Sequence, residues 1–240
     1  MLQQTQVKTV LERFYFQFLE KFPTLESLSQ AHEDEVLKAW EGLGYYTRAR
    51  NLHKTAQMLK TALPQTAKEL LELPGIGPST SHAIACFAFA ESLPILDGNV
   101  KRILYRYYAK EKANDKELWS MSYELFEPDF AYEFNQAMMD IGSSICTRTK
   151  PKCEICPFEK KCLGKTSPLL YPQKKVKKKK ELRERSLVIY TNQNKIALFQ
   201  NESNLLKGLW SFKQYSDELN DNEYTCIGSI KHEYSHISLR

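Results

Sequence analysis

Nothing in this 240-residue chain is apolar for long enough to cross a bilayer. The longest uninterrupted apolar run, Ala83 to Ala90, is far shorter than the roughly 20 residues of a spanning helix. No charged segment followed by an apolar core opens the chain as a secretory signal would. Glycine and proline are sparse, 9 and 10 residues, which excludes fibrous and low-complexity classes. Neither sign of charge dominates, the formal net charge being +5. These absences leave a globular, intracellular protein with no membrane association. Its 42% hydrophobic content suits one sizeable core and part of a second. Six cysteines in such a chain argue for metal ligation or plain packing rather than a disulfide framework.

What is present divides into two parts. From Gln6 to Leu163 apolar residues recur at helical spacing, as in Val10, Phe14, Phe18 and in Val36, Leu37, Trp40, and strand-like alternation is nearly absent. Phe22-Pro23-Thr24, Leu63-Pro64-Gln65, Leu73-Pro74-Gly75 and Glu127-Pro128-Asp129 punctuate the helices. Past Thr166, Ser167, Pro168, Pro172 and a block of six lysines between Lys174 and Lys180 read as a linker that does not pack. A basic tether of this kind would also draw DNA phosphates. Beyond it, Ser186 to Thr191, Ile196 to Phe199 and Cys226 to Ile230 read as short strands. The expected organisation is a mainly α domain over residues 1–165, a basic linker over 166–185 and a partial α+β domain over 186–240.

Cys146, Cys153, Cys156 and Cys162 form a C-x6-C-x2-C-x5-C array in surroundings too polar to be core. Four thiolates so closely spaced can wrap one metal centre, and their chemistry alone leaves zinc and an iron-sulfur cluster equally open. Cys86 and Cys226, outside the array, read as small buried hydrophobes.

Thr66 and Glu69 have the spacing of a capping box for a helix running to Leu71. Leu73-Pro74-Gly75-Ile76-Gly77-Pro78 then breaks and restarts the helix. Read as a helix-hairpin-helix, this turn leaves Gly75 and Gly77 bare, so that backbone N–H groups and a positive helix end can approach a phosphate. A tight turn alone would use the same residues. Asp97, in Pro94-Ile95-Leu96-Asp97-Gly98-Asn99-Val100, stands at a loop-to-helix junction, where aspartate is favoured as an N-cap. An ionised acid there can also stabilise a cationic sugar.

Taken together, Leu2-Gln3-Gln4-Thr5-Gln6, Gly42-Leu43-Gly44-Tyr45-Tyr46, the Leu73–Gly77 hairpin, Pro94–Val100, Phe134-Asn135-Gln136-Ala137-Met138-Met139-Asp140 and the cysteine array resemble the MutY branch of the helix-hairpin-helix DNA glycosylases. The resemblance covers residues 1 to 163. It implies a base-flipping repair enzyme that hydrolyses the N-glycosidic bond of adenine opposite 8-oxoguanine or guanine in double-stranded DNA, acting as a monomer in the cytoplasm at the nucleoid. It implies a [4Fe-4S] cluster on the four cysteines. Asp97 matches the acid that stabilises the oxocarbenium-like sugar, and Asn99 the amide that supports it. Ser79 stands where endonuclease III relatives carry a nucleophilic lysine, and a hydroxyl forms no Schiff base. The implied enzyme is therefore monofunctional.

Gln4, Leu43 and Tyr45 match residues that enter the base stack, with Thr5, Gly75 and Gly77 completing the DNA-binding set. From residue type alone, Leu43, Tyr45 and Tyr46 read as core. The second part resembles a MutT-like (Nudix-like) module that reads 8-oxoguanine. Gly208-Leu209-Trp210-Ser211-Phe212 matches its glycine-aromatic strand, and Tyr234, Ser235 and His236 match its lesion-recognition loop, with Tyr234 in place of Phe.

In this family a glutamate two positions before the Met-Leu-Gln-Gln-Thr segment protonates the base, and this chain starts at Met1. The expectation is a chain truncated at both ends that binds the mispair and excises poorly, since general-acid catalysis is worth about 100- to 10,000-fold. Two alternatives remain: an endonuclease III-type glycosylase/lyase acting on oxidised pyrimidines, and a non-catalytic DNA-binding remnant.

Overall fold

Side chains that cap free backbone N–H groups set most of the helix starts. Thr24 accepts from the Ser27 N–H and opens α3 (Leu25–Gln30), His32 opens α4 (Glu33–Ala39), and Asn114 opens α9 (Asp115–Leu125), each as a reciprocal capping box. Thr66 caps α6 (Ala67–Leu70). There the Glu69 carboxylate accepts from the Thr66 hydroxyl at 2.7 Å, and the Ala67 N–H is taken by Glu91 at 2.7 Å. Only half of the expected box forms, because the Glu69 carboxylate takes the Thr66 hydroxyl rather than the Thr66 N–H.

The computed structural model describes residues 1–3, 5–59, 62–173, 181–202, 207–215, 219, 223–233 and 237–239. The lysine block, Lys174 to Lys180, lies outside them. Chain contacts separate two units, Met1–Lys175 and Val176–Arg240. In the first, α1 (Val7–Val10) continues through a π-helical turn (Leu11–Tyr15) into α2 (Phe16–Lys21). α5 (Thr47–Leu59) packs on α3 and α4. This layer buries Val10, Phe18, Val36, Leu37 and Trp40, the residues whose spacing predicts it. A second small core, Ala67, Leu70, Leu73 and Ala85, joins α6 to α7 (Pro78–Phe89). A third is built by α8 (Gly98–Tyr107), α9 and α10 (Ala131–Asp140) around Val100, Leu104, Leu118 and Met138, with Cys146, Cys156 and Phe158 packed at its edge.

Residues 166–173, expected in the linker, are packed instead. Arg106 Nε donates to Pro168 O at 2.9 Å, and Gln173 N–H donates to Glu111 O at 2.9 Å. One buried guanidinium supplies the acceptor-seeking donors that draw this stretch onto α8.

In the second unit the described strands form four small sheets. β1 (Glu181–Arg183) runs parallel to β9 (Ile237–Leu239), which pairs with β8 (His232–Glu233). β2 (Ser186–Val188) pairs with β7 (Lys213–Tyr215), β3 (Thr191–Asn192) with β4 (Lys195–Ile196), and β5 (Phe199–Gln200) with β6 (Trp210–Ser211). The stretch from Cys226 to Ile230, expected as a strand, has no ladder partner among the described residues. Cys226 itself is exposed, not buried. No helix among the described residues is long and apolar enough to cross a membrane.

Candidate functional site

Asp97 is the N-cap of α8. Its Oδ1 accepts from the N–H groups of Asn99 at 2.9 Å and Val100 at 2.8 Å, while Oδ2 lies 3.4 Å from Asn99 Nδ2. The cap expected from residue type and the carboxylate expected from the resemblance are thus one side chain. Capping engages one oxygen and orients the other toward Asn99. Asn99 Oδ1 in turn accepts from Arg102 at 2.9 Å. Arg102 spans to the far side, donating to Gly142 O and, through Nε, to Cys146 O at 2.8 Å. Burial holds its guanidinium below the usual arginine range. The absence of a side chain at Gly142 is required here, since a Cβ would stand 2.5 Å from Asn99 Cβ.

The hairpin reaches the surface as Gly75 and Gly77, both exposed. Gly75 has φ +75°, and a Cβ there would overlap the Asn51 side chain, so glycine is needed on both counts. Gly77 caps α7 with Pro78 at its first position. Ser79 follows, half-buried, beside Thr80, whose hydroxyl accepts from Gln3 Nε2 at 3.0 Å. The amino-terminal segment is thereby tied to the start of α7.

Arg48, which sequence reading did not single out, organises that segment. Its guanidinium donates to Met1 O at 2.7 Å, to Gln3 O, to Thr5 Oγ1 at 3.1 Å and to Gly44 O at 3.3 Å. It also lies over the Tyr45 and Trp40 rings, 5.3 and 5.6 Å from their centroids. Tyr45 is 57% exposed and held at φ +51°, a conformation an L-residue adopts only when its surroundings impose it. Leu43 is 7% exposed. Of the two, Tyr45 faces outward, whereas Leu43 packs inside, because Trp40 Nε1 donates to Gly44 O at 3.0 Å and folds the loop back over it. Gln4 lies outside the described residues, as do Tyr234, Ser235 and His236.

Cys146, Cys153, Cys156 and Cys162 are all free thiols, and all four line one open cavity. Burial and the neighbouring thiols push Cys153 and Cys162 up from the ordinary thiol range. Among the described residues no three Cys, His, Asp or Glu side chains form a set able to hold a single metal ion. Four thiols lining one space are a donor set that a metal centre can use. Arg106, 3% exposed, donates to Cys146 O and Sγ, each at 3.2 Å, and to Thr147 O at 2.8 Å. A charge buried with this many acceptors orders the cysteine loop. Arg48, Arg102 and Arg106 left no periodic signal in the sequence, because most of their partners are main-chain carbonyls about forty or more positions away.

The chain is similar to several known proteins. The family model described as HhH-GPD superfamily base excision DNA repair protein matches residues 1–128. An adenine DNA glycosylase of Buchnera aphidicola (Acyrthosiphon pisum) is 38% identical over 262 aligned positions, covering 100% of this chain and 75% of its own length. The Homo sapiens adenine DNA glycosylase is 40% identical over 172 positions, covering 68% of this chain and 31% of its own. Among solved structures, a thermostable thymine-DNA glycosylase aligns with TM-score 0.63 and 29% identity over 69% of this chain and 80% of that one. An endonuclease III–DNA complex aligns with TM-score 0.60 at 21% identity over 67% and 78%, and bears on the fold alone.

Proposed function

The chain belongs to the HhH-GPD superfamily of base excision DNA repair proteins, and its function is that of a DNA N-glycosylase acting on adenine; from that premise we propose that it hydrolyses the N-glycosidic bond of adenine paired with 8-oxoguanine or guanine in duplex DNA. The observation that carries this reading is the Asp97 carboxylate, capped on Oδ1 and directed by Oδ2 toward Asn99. As the base departs, positive charge grows on the sugar, and a carboxylate already held in place stabilises it without reorganising. Water then bonds to the sugar C1′ in place of the broken C1′–N bond, and the proton it gives up balances the one the released adenine takes up.

Gly75, Gly77 and the start of α7 take the backbone phosphates, and Tyr45, with the segment carrying Gln4 and Thr5, fills the stack vacated by the extruded nucleotide. Ser79 offers no amine, so the sugar-phosphate strand stays intact. Cys146, Cys153, Cys156 and Cys162 would hold a [4Fe-4S] cluster, which when bound joins both ends of the loop they span. Residues 186–240 belong to a MutT-like domain whose Tyr234, Ser235 and His236 read the 8-oxoguanine. The short ladders of that unit support this reading, and so does the resemblance of Gly208 to Phe212. The protein works as an intracellular monomer on double-stranded DNA.

Duplexes carrying adenine opposite 8-oxoguanine or thymine test the proposal. Adenine release confined to the mispair, with strand breaks only after alkali, is the expected result. Asp97→Asn should lower release by about 100-fold or more, yet change unfolding by under about 1 kcal/mol, because asparagine caps as well. A borohydride-trapped covalent adduct, or release of oxidised pyrimidine instead of adenine, would overturn it in favour of a lyase.

A further inference from the structure

The chain between α7 and α8 is irregular from residue 90 to 97, yet Ile95 and Leu96 are each only 3% exposed, and Pro94 is fully buried. Buried backbone without a strand partner must find its hydrogen bonds elsewhere. Ile95 N–H donates to Asn135 Oδ1 at 2.8 Å, and Asn135 Nδ2 donates to Leu93 O at 2.9 Å. Pro94 O lies 2.8 Å from His82 Nδ1, and because a carbonyl only accepts, that nitrogen carries the proton. Three consecutive residues are thus pinned by side chains of α7 and α10, two positions before Asp97.

Asn135 is 1% exposed and spends its second amide hydrogen on Cys86 Sγ at 3.3 Å. Its orientation follows from its partners, since Ile95 N–H can only donate and Leu93 O can only accept. A carboxamide is the side chain that offers both functions at this spacing, and it serves here as a neighbouring strand would. The His82 ring is itself fixed against Trp119, with centroids 4.9 Å apart.

We propose that Asn135, aided by His82, is a positioning residue that sets where the Asp97 carboxylate stands relative to the reacting sugar. The cap bonds tie Asp97 forward to α8, and the clamp ties the chain behind it to α7 and α10, so the carboxylate is held from both sides. This inference rests on the assignment of Asp97 to the sugar cation. Neither Asn135 nor His82 touches substrate; both act through residues 93–95.

The test uses the full chain and two duplexes with 8-oxoguanine opposite an abasic analogue. One analogue is a cationic pyrrolidine nucleotide and the other a neutral tetrahydrofuran nucleotide. The ratio of the two affinities reads the field of Asp97, and it does not depend on how much of a preparation is folded. The wild type should favour the cation. Asn135→Leu should cut that preference about ten-fold, equivalent to about 1.4 kcal/mol, and leave neutral-duplex affinity unchanged. His82→Phe keeps the ring on Trp119 and should move the ratio in the same direction by less. Variants that melt earlier but keep the wild-type ratio would overturn the clamp and leave Asp97 in place. A wild type without preference for the cation would overturn both.

Discussion

Asp97, Asn99, Arg102 and Gly142 form a chain in which each member constrains the next, so small changes there carry large effects. Gly142→Ala places a methyl group 2.5 Å from Asn99 Cβ, and either Asn99 or the turn after α10 must move. Urea denaturation should show a loss of about 1–3 kcal/mol, accompanied by weaker adenine release because Asn99 no longer faces Asp97. Tyr108 supplies a pH handle. Burial, followed by the Glu124 carboxylate that accepts its hydroxyl proton, pushes its pKa from 10 up to about 12. The folded chain therefore keeps a proton that the unfolded chain gives up, a contribution present below pH 10 and lost as pH rises through about 12. Unfolding followed across that window should show a steeper alkaline loss for wild type than for Tyr108→Phe. At this scale the sequence revealed Asp97 and the four cysteines, because reactive residue types at short spacing announce themselves. It did not reveal Asn135 or Arg48, whose partners lie 40 to 49 and 43 to 47 positions away where those partners are distant.

Helices were legible where caps and apolar periodicity coincide, as at Thr24 and Thr66. The π-helical turns at Leu11–Tyr15 and Ile141–Ile145 were not, since no residue type marks them; the second brings Gly142 O and Cys146 O to Arg102. α7 ends with Ala90 at φ +57°, its N–H bonded to Cys86 O and that of Glu91 to Ala85 O. Glycine is the residue this left-handed position favours, and Ala90 meets it at a cost of about 1 kcal/mol. Ala90→Gly should therefore raise the thermal midpoint, with a gain of up to about 1 kcal/mol. A lower midpoint would show that the methyl group packs usefully. The short strands fared worse than the helices. A strand is stabilised by its neighbour rather than by itself, so Cys226 to Ile230 carried the composition of a strand without acquiring a partner.

The molecule as a whole is two units, Met1–Lys175 and Val176–Arg240, and the proposed labour divides between them. A chain ended after Lys175 should keep its helical circular dichroism, its brown colour with about four irons, and its duplex binding. It should lose the preference for 8-oxoguanine over guanine opposite adenine. Retention of that preference would place lesion reading in the first unit. Docking of residues 166–173 on Arg106 makes Lys175, rather than Thr166, the natural point of division.

Sequence by itself determined the helical class, the hairpin, the capped aspartate and the four-thiol array, because these depend on propensities and ligands within a few residues of one another. Tertiary structure alone decided that the four thiols line one cavity, that Leu43 turns inward while Tyr45 turns out, and that Asn135 and three arginines tie the loop before Asp97, the amino-terminal segment and the cysteine loop into place. Those contacts are hydrogen bonds to main-chain atoms distant in sequence, and a backbone carbonyl looks the same whatever residue carries it.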